Sequence, residues 1–308
     1  MRQPRLKPSG QNTWHHCYNR LVGTHEDRPL SDADKEQFVR ILRRVAKLYT
    51  VRIVAYQVMS NHFHLLLMAP AEKPSAEETA RRVERFFRGR RRVNVGTAAC
   101  ARWQERLGDV SWCLRHLEQL FAGWYNRTRA VRRRGPVWAG RFKNTVLESG
   151  EAVWRCWAYL EHNAVRAGLV AEAGAYRFSS YGWWVQRGRH PFEGAVEGVL
   201  KPALPEPYCR MGRKGLRRAL GEELRRRSAE AGRVGVLEAE SEFVLGVWRR
   251  VRHWVDGVVI GTELFVRETM RRARGEVEAA RRRLVWAVGA GGEPTSLCCW
   301  QRLRAIPS

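Results

Sequence analysis

A chain of 308 residues with 44% hydrophobic content is long enough for one large domain or two ordinary ones, and global disorder is excluded. Lys and Arg number 56 against 31 Asp and Glu, a formal net charge of +25. A surplus this large calls for a polyanion, and nucleic acid is the expected partner. No long apolar span or amphipathic anchor points to a membrane. The seven cysteines form no C-x-x-C pair, and no secretory signal opens the chain. A reducing cytoplasm is therefore the expected compartment, with each cysteine read as a small buried hydrophobe.

The elements follow in chain order. Residues 1–11 read as a flexible basic leader. Thr13 to Val22 is rich in strand formers and predicts a first strand. Ser31 precedes Asp32, Asp34 and Glu36, a capping signature. Phe38, Ile41, Leu42, Val45 and Leu48 then recur at helical spacing, so 32–49 is expected to be a helix. Val51 to Met59 and His62 to Ala69 predict two strands joined by a turn at Ser60 and Asn61. Residues 75–92 and 111–129 predict helices, the first carrying a cluster of arginines. Val137 to Leu147 reads as a fourth strand. Ser149 is expected to cap a helix that runs to about Asn163 or Arg166, with Gly168 marking its end.

The order β-α-β-β-α-α-β-α suits an α+β fold of ferredoxin-like type, an antiparallel sheet with helices on one face. Residues 12–190 are assigned to this unit and 191–211, with Pro202, Pro205 and Pro207, to a linker. Residues 212–308 are read as an Arg-rich helical extension, with helices over 212–231, 236–254 and 262–288.

The chemistry starts at His62 and His64. On a strand, residues two apart share a face at about 6–7 Å. Two imidazoles so placed can grip one cation, while Phe63 and Leu65 point into the opposite face. Tyr159 and Asn163 lie four apart on the later helix and share one of its faces. Facing the histidine strand, Asn163 would add an oxygen ligand and Tyr159 a phenol beside the cation. Taken by spacing alone, two ordinary strand histidines, a packed tyrosine and a surface amide are the better account of the same residues.

Four segments carry a resemblance. Met59 to Leu67 (MSNHFHLLL) resembles the His-hydrophobe-His strand of small insertion-sequence transposases. Val137 to Lys143 (VWAGRFK) resembles a segment that precedes their tyrosine helix. Tyr159 to Val170 (YLEHNAVRAGLV) and Tyr176 to Tyr181 (YRFSSY) resemble the tyrosine motif and the segment that trails it. In order and spacing the chain is similar to single-tyrosine HUH transposases of the insertion-sequence 200/605 type, closest to the REP-associated tyrosine transposase branch, over roughly residues 12–185. It departs from the pattern at Ala164, where proline is usual.

The resemblance implies a DNA transposase that cleaves and rejoins single-stranded, hairpin-marked DNA. Tyr159 would be the nucleophile, and His62, His64 and Asn163 the ligands of Mg²⁺ or Mn²⁺, with His162 the alternative third ligand. Expected DNA contacts are Arg20, Arg81, Arg82, Arg85, Arg132, Arg133, Arg141 and Lys143. The rival reading is a domesticated nucleic-acid-binding protein without catalysis. Monomer and homodimer stay equally open.

Overall fold

The computed structural model describes residues 6, 10–23, 30–129, 132, 134–237, 254, 257–274, 284–288 and 294–301. Strands form where β-branched and aromatic residues alternate: β1 (Thr13–Arg20), β2 (Arg52–Val58), β3 (His62–Ala69) and β4 (Lys143–Leu147). Between them lie α1 (Asp32–Leu48), α2 (Ala76–Phe87), α3 (Ala98–Leu107) and α4 (Val110–Arg127). The capping box expected at Ser31 is present, its side chain accepting from the Asp34 N–H and the Asp34 carboxylate from the Ser31 N–H. Helix α2 stops earlier than its periodicity predicts, because Arg88 and Gly89 both take positive φ. The helix over α3 was not foreseen.

After β4 come α5 (Glu151–Arg166), α6 (Ser180–Arg187), the one-turn α7 (Glu193–Ala195) and α8 (Arg213–Leu237). The remaining described elements are β5 (Gly257–Gly261), α9 (Glu263–Arg274), β6 (Leu284–Val288) and β7 (Pro294–Gln301). One seven-stranded sheet runs β2-β3-β1-β4-β5-β7-β6. Its pairings are antiparallel except β4 with β5, which is parallel.

The α+β class holds, with two differences from the sequence reading. Residues beyond 212 are not helical throughout: they supply three strands to this sheet, and Leu284–Val288 falls inside the stretch expected to be helical. Helices also cover both faces of the sheet. On one face Cys17, Phe63, Leu65 and Leu67 pack with Phe38, Leu42 and Val45 of α1 and Phe121 of α4. On the other, Trp14, Leu66, Met68 and Leu147 pack with Val153, Trp157 and Leu160 of α5 and Leu216 and Leu220 of α8. Each fully buried large side chain here stabilises by about 1.5–3 kcal/mol. The proline-containing stretch expected to be a linker buries Val196, Leu200 and Leu204 in this second core. Six cysteines are buried and Cys209 is half-buried, all of them free thiols.

Candidate active site

Register decides which side chains meet. Across β1 and β3, Tyr18 pairs with His64, His16 with Leu66 and Arg20 with His62. Directly paired residues share a face. His62, His64, His16, Tyr18 and Arg20 therefore stand on the α5 side, joined from β4 by Thr145 and Lys143. The strand period places Phe63 and Leu65 opposite, as expected.

The predicted tyrosine comes to this face. The Tyr159 ring lies 5.7 Å from that of His64 and 6.0 Å from that of His16, edge-on to both. His62 and His64 are 5.0 Å apart between centroids, and Tyr18 packs on both. Tyr159 is buried, and among the described residues its hydroxyl has no partner within hydrogen-bond geometry. Burial pushes that phenol well above its ordinary range, while the Arg166 charge pulls it the other way. His64 is held well below the usual imidazole value, first by burial and then by the charges of His62, His16 and Arg166.

The four motif segments are assembled around this cluster. Ala139 donates to the Arg20 carbonyl and Val22 to the Val137 carbonyl, which seats the Val137–Lys143 segment on the end of β1. Tyr176 donates from its hydroxyl to the Val58 carbonyl at 2.6 Å, and Val58 N–H donates to the Phe178 carbonyl at 3.0 Å. Ser180 accepts from the Tyr56 N–H and donates to the Glu161 carboxylate, whose other oxygen accepts from the Tyr181 N–H. These bonds tie α5 to the β2 edge. Glu161, fully buried, is pushed up to about 7 by that burial. The Ala164 departure also has a local account. The Gln57 amide, oriented to suit its neighbours, donates to the Leu160 carbonyl and accepts from the Ala164 N–H at 2.7 Å. Proline at 164 would lack that donor.

Asn163, the residue expected as third metal ligand, is hydrogen-bonded within its own helix. Asn163 donates to the Tyr159 and Leu160 carbonyls, and its oxygen accepts from Arg166 at 2.6 Å. Its amide nitrogen is committed to α5, and its oxygen, with one lone pair taken by Arg166, keeps one further acceptor position. His162 bonds Ser228 of α8 at 3.0 Å and does not join the cluster. Among the described residues no group of three or more His, Cys, Asp or Glu converges as a ligand set. The donor chemistry of His62 and His64 nevertheless fits a divalent cation with open positions. His62 Nδ1 sits 2.6 Å from the Asn61 side-chain oxygen Oδ1, which can only accept, so its Nε2 is the basic nitrogen.

Tyr18 and Thr145 were not named from the sequence, nor were two residues that bond or cover the central pair. His16 places Nε2 2.9 Å from His64 Nδ1 and Nδ1 2.8 Å from the Trp254 carbonyl oxygen. Burial lowers its pKa to about 4, so the ring is neutral. The Trp254 ring covers Tyr159, and its carbonyl also accepts from Thr145. The alternation of β1 is a signal for His16, since 14, 16, 18 and 20 share a face. Nothing local marks Trp254.

The expected DNA contacts divide. Arg20 and Lys143 lie on the site face, the Lys143 ammonium 5.9 Å from the Tyr18 ring. Arg141 is exposed two residues before Lys143, and Arg132 is exposed in the preceding loop. Arg81, Arg82 and Arg85 ride on α2, whose Val83 and Phe86 pack into the core of the opposite face. Arg82 is bound there to Glu78 and to the Lys47 and Tyr49 carbonyls. Arg133 lies outside the described residues. No described helix is long and apolar enough to cross a membrane.

No family model matches the chain, and no curated protein matches it. Among solved structures, that of a REP-associated tyrosine transposase bound to a REP hairpin is similar at a TM-score of 0.41 and 16% identity, over 63% of this chain and 90% of that one. What the fold and site define directly is an α+β protein with a buried histidine–tyrosine cluster on one face of its sheet.

Proposed function

We propose that the chain is a single-tyrosine DNA transposase of the His-hydrophobe-His type, which cleaves and rejoins single-stranded, hairpin-marked DNA through Tyr159. The observation that carries this reading is the convergence of Tyr159 with His64, far apart in sequence and 5.7 Å ring to ring. A phenol whose hydroxyl is buried without a partner beside two strand histidines has no structural need for that hydroxyl. In the reaction the Tyr159 oxygen bonds to phosphorus as the P–O3′ bond breaks. The phenolic proton ends on the departing 3′ oxygen, leaving a 5′-phosphotyrosine and a free 3′-OH. Another 3′-OH reverses the step and joins new ends, so no ATP is consumed. His62 and His64 would hold Mg²⁺ or Mn²⁺ through Nε2, and the ion when bound polarises a non-bridging phosphate oxygen. Arg166 adds a fixed positive charge that acts on both Tyr159 and His64. Arg20 and Lys143 draw the phosphate chain to the same face.

The test is covalent trapping. Wild-type protein incubated with a labelled single-stranded hairpin oligonucleotide and Mn²⁺ should yield an adduct that survives denaturation, and Tyr159→Phe should yield none. Because the lost hydroxyl has no partner, Tyr159→Phe should fold with unchanged stability or gain about 1 kcal/mol. An undiminished adduct in Tyr159→Phe refutes the nucleophile. No adduct with any structured single strand favours the rival, a nucleic-acid-binding protein without catalysis.

A further inference from the structure

We infer that His16 is a positioning residue that fixes the tautomer of His64, holding the His64 proton on Nδ1 and leaving Nε2 as its basic nitrogen. The argument runs inward from Trp254. A backbone carbonyl oxygen can only accept a hydrogen bond. The 2.8 Å contact between that oxygen and His16 Nδ1 therefore requires the proton on Nδ1. A neutral imidazole carries one N–H, so His16 Nε2 is an acceptor. His64 Nδ1 lies 2.9 Å from it and must donate.

The ring geometry agrees. The centroids are 5.1 Å apart at an interplanar angle of 9°, with the facing nitrogens at 2.9 Å. Such numbers describe two rings end to end in nearly one plane, the arrangement of an in-plane N–H···N bond. They do not describe rings face to face. Both histidines are 1% exposed, so water offers neither nitrogen another partner. The opposite His64 tautomer would set two lone pairs against each other in a dry site.

His62 reaches the same tautomer by a different route, through the Asn61 side-chain oxygen. Two unrelated acceptors thus hold the two histidines of the pair in one protonation pattern, with Nε2 basic on each. An outer partner that fixes the orientation and basicity of a ligating imidazole is the usual companion of a metal-binding histidine. This use of the tautomer rests on the transposase reading, whereas the tautomer itself does not.

Nitrogen-15 correlation spectra of the histidine rings in the full-length, metal-free protein test the assignment. The expected result is His64 protonated at Nδ1 and unprotonated at Nε2, with His16→Ala releasing that preference. Mn²⁺ binding, followed by electron paramagnetic resonance, should weaken about 10- to 100-fold in His16→Ala. His16→Gln should retain most of the affinity, since its amide can accept from His64 and donate to the Trp254 carbonyl. A wild-type His64 ring protonated at Nε2 overturns the assignment without recourse to any variant. So does a His16→Gln variant that binds Mn²⁺ as poorly as His16→Ala, because the bond to His64 would then not be what matters. A protein that shows the tautomer but forms no phosphotyrosine adduct would end the transposase reading and leave this assignment standing.

Discussion

Trp254 lies ring on ring over Tyr159, with 5.4 Å between centroids and 19° between planes. Its carbonyl accepts from His16 and Thr145, so one residue from the C-terminal part of the chain closes the site from above. The Tyr159 hydroxyl is itself buried, so a phosphate reaches it only if a covering group moves, and the Trp254 ring is the candidate. Aromatic pairs of this kind stabilise by about 0.5–1.5 kcal/mol beyond the area they bury. Trp254→Ala should therefore favour the open site by roughly 2- to 13-fold or more. The measurement is the initial rate of adduct formation at subsaturating oligonucleotide, which should rise by at least about twofold. An unchanged or lower rate, in a variant that still binds the oligonucleotide, would show that Trp254 does not gate the tyrosine.

Metal dependence separates the histidines from the tyrosine. His64→Ala removes one of the two imidazole donors, and EDTA should have the same effect from solution. Either treatment is expected to abolish cleavage while leaving hairpin binding within about threefold, since phosphate contacts dominate affinity. Cleavage at the wild-type rate in EDTA would remove the metal from the proposal. Asn163→Ala gives a further contrast. Because its amide bonds the Tyr159 carbonyl and Arg166, its loss should disturb the helix without lowering Mn²⁺ affinity.

Under the transposase reading, one groove is the candidate surface for the nucleic acid. Trp112, at the start of α4, is 37% exposed, and the Arg106 and Arg115 guanidiniums lie 4.4 and 5.3 Å from its ring. It shares a groove with Trp138, Gly140 and Arg141, at the end of the sheet that holds His62 and Lys143. Stacking on one base contributes about 1–3 kcal/mol. Trp112→Ala should thus weaken binding of a hairpin with a single-stranded flank about tenfold and leave a blunt hairpin unaffected. Titration by fluorescence anisotropy decides it. Equal losses for both substrates would argue against base stacking at Trp112.

Much of this arrangement was legible in the sequence, and the rest is invisible for a physical reason. Helical spacing of apolar residues marked α1, and runs of strand formers marked β1, β2 and β3, of which β2 and β3 are buried on both faces. The tyrosine and the histidine pair were named from motifs, and the sheet register brings them together. That register is not a local property: nothing in Trp14–Arg20 states that Tyr18 rather than Cys17 pairs with His64. His16 was therefore overlooked although the alternation of β1 holds it. For Asn163, a sequence does not reveal that Arg166, one turn on, already takes one lone pair of its oxygen. The run Gly257–Gly261 (GVVIG) carries strand-forming residues but fell between the two expected helices, 236–254 and 262–288, and was assigned no element. Its place beside β4 depends on a parallel pairing that only tertiary contact specifies.

Far from the tyrosine, His190 gives a clean pH signature. It is 3% exposed, its Nδ1 accepts from the Phe192 N–H, and the Trp184 ring packs edge-on against it. Burial lowers its pKa from 6.5 to about 3. The unfolded chain therefore takes up a proton at His190 as pH falls through 6.5, while the folded chain does not. The stability due to the neutral ring is complete above pH 6.5 and is lost steadily as pH drops toward 3. Once well below 6.5 the loss approaches about 1.4 kcal/mol per pH unit for this one group. His190→Asn keeps a side-chain acceptor near the Phe192 N–H and cannot titrate. Denaturant midpoints of wild type and variant should differ by a constant amount between pH 7 and 8. Below about pH 6 the wild type should lose ground to the variant at that slope. Parallel stability curves down to about pH 5 would mean that His190 takes up its proton in the folded state as readily as in the unfolded one.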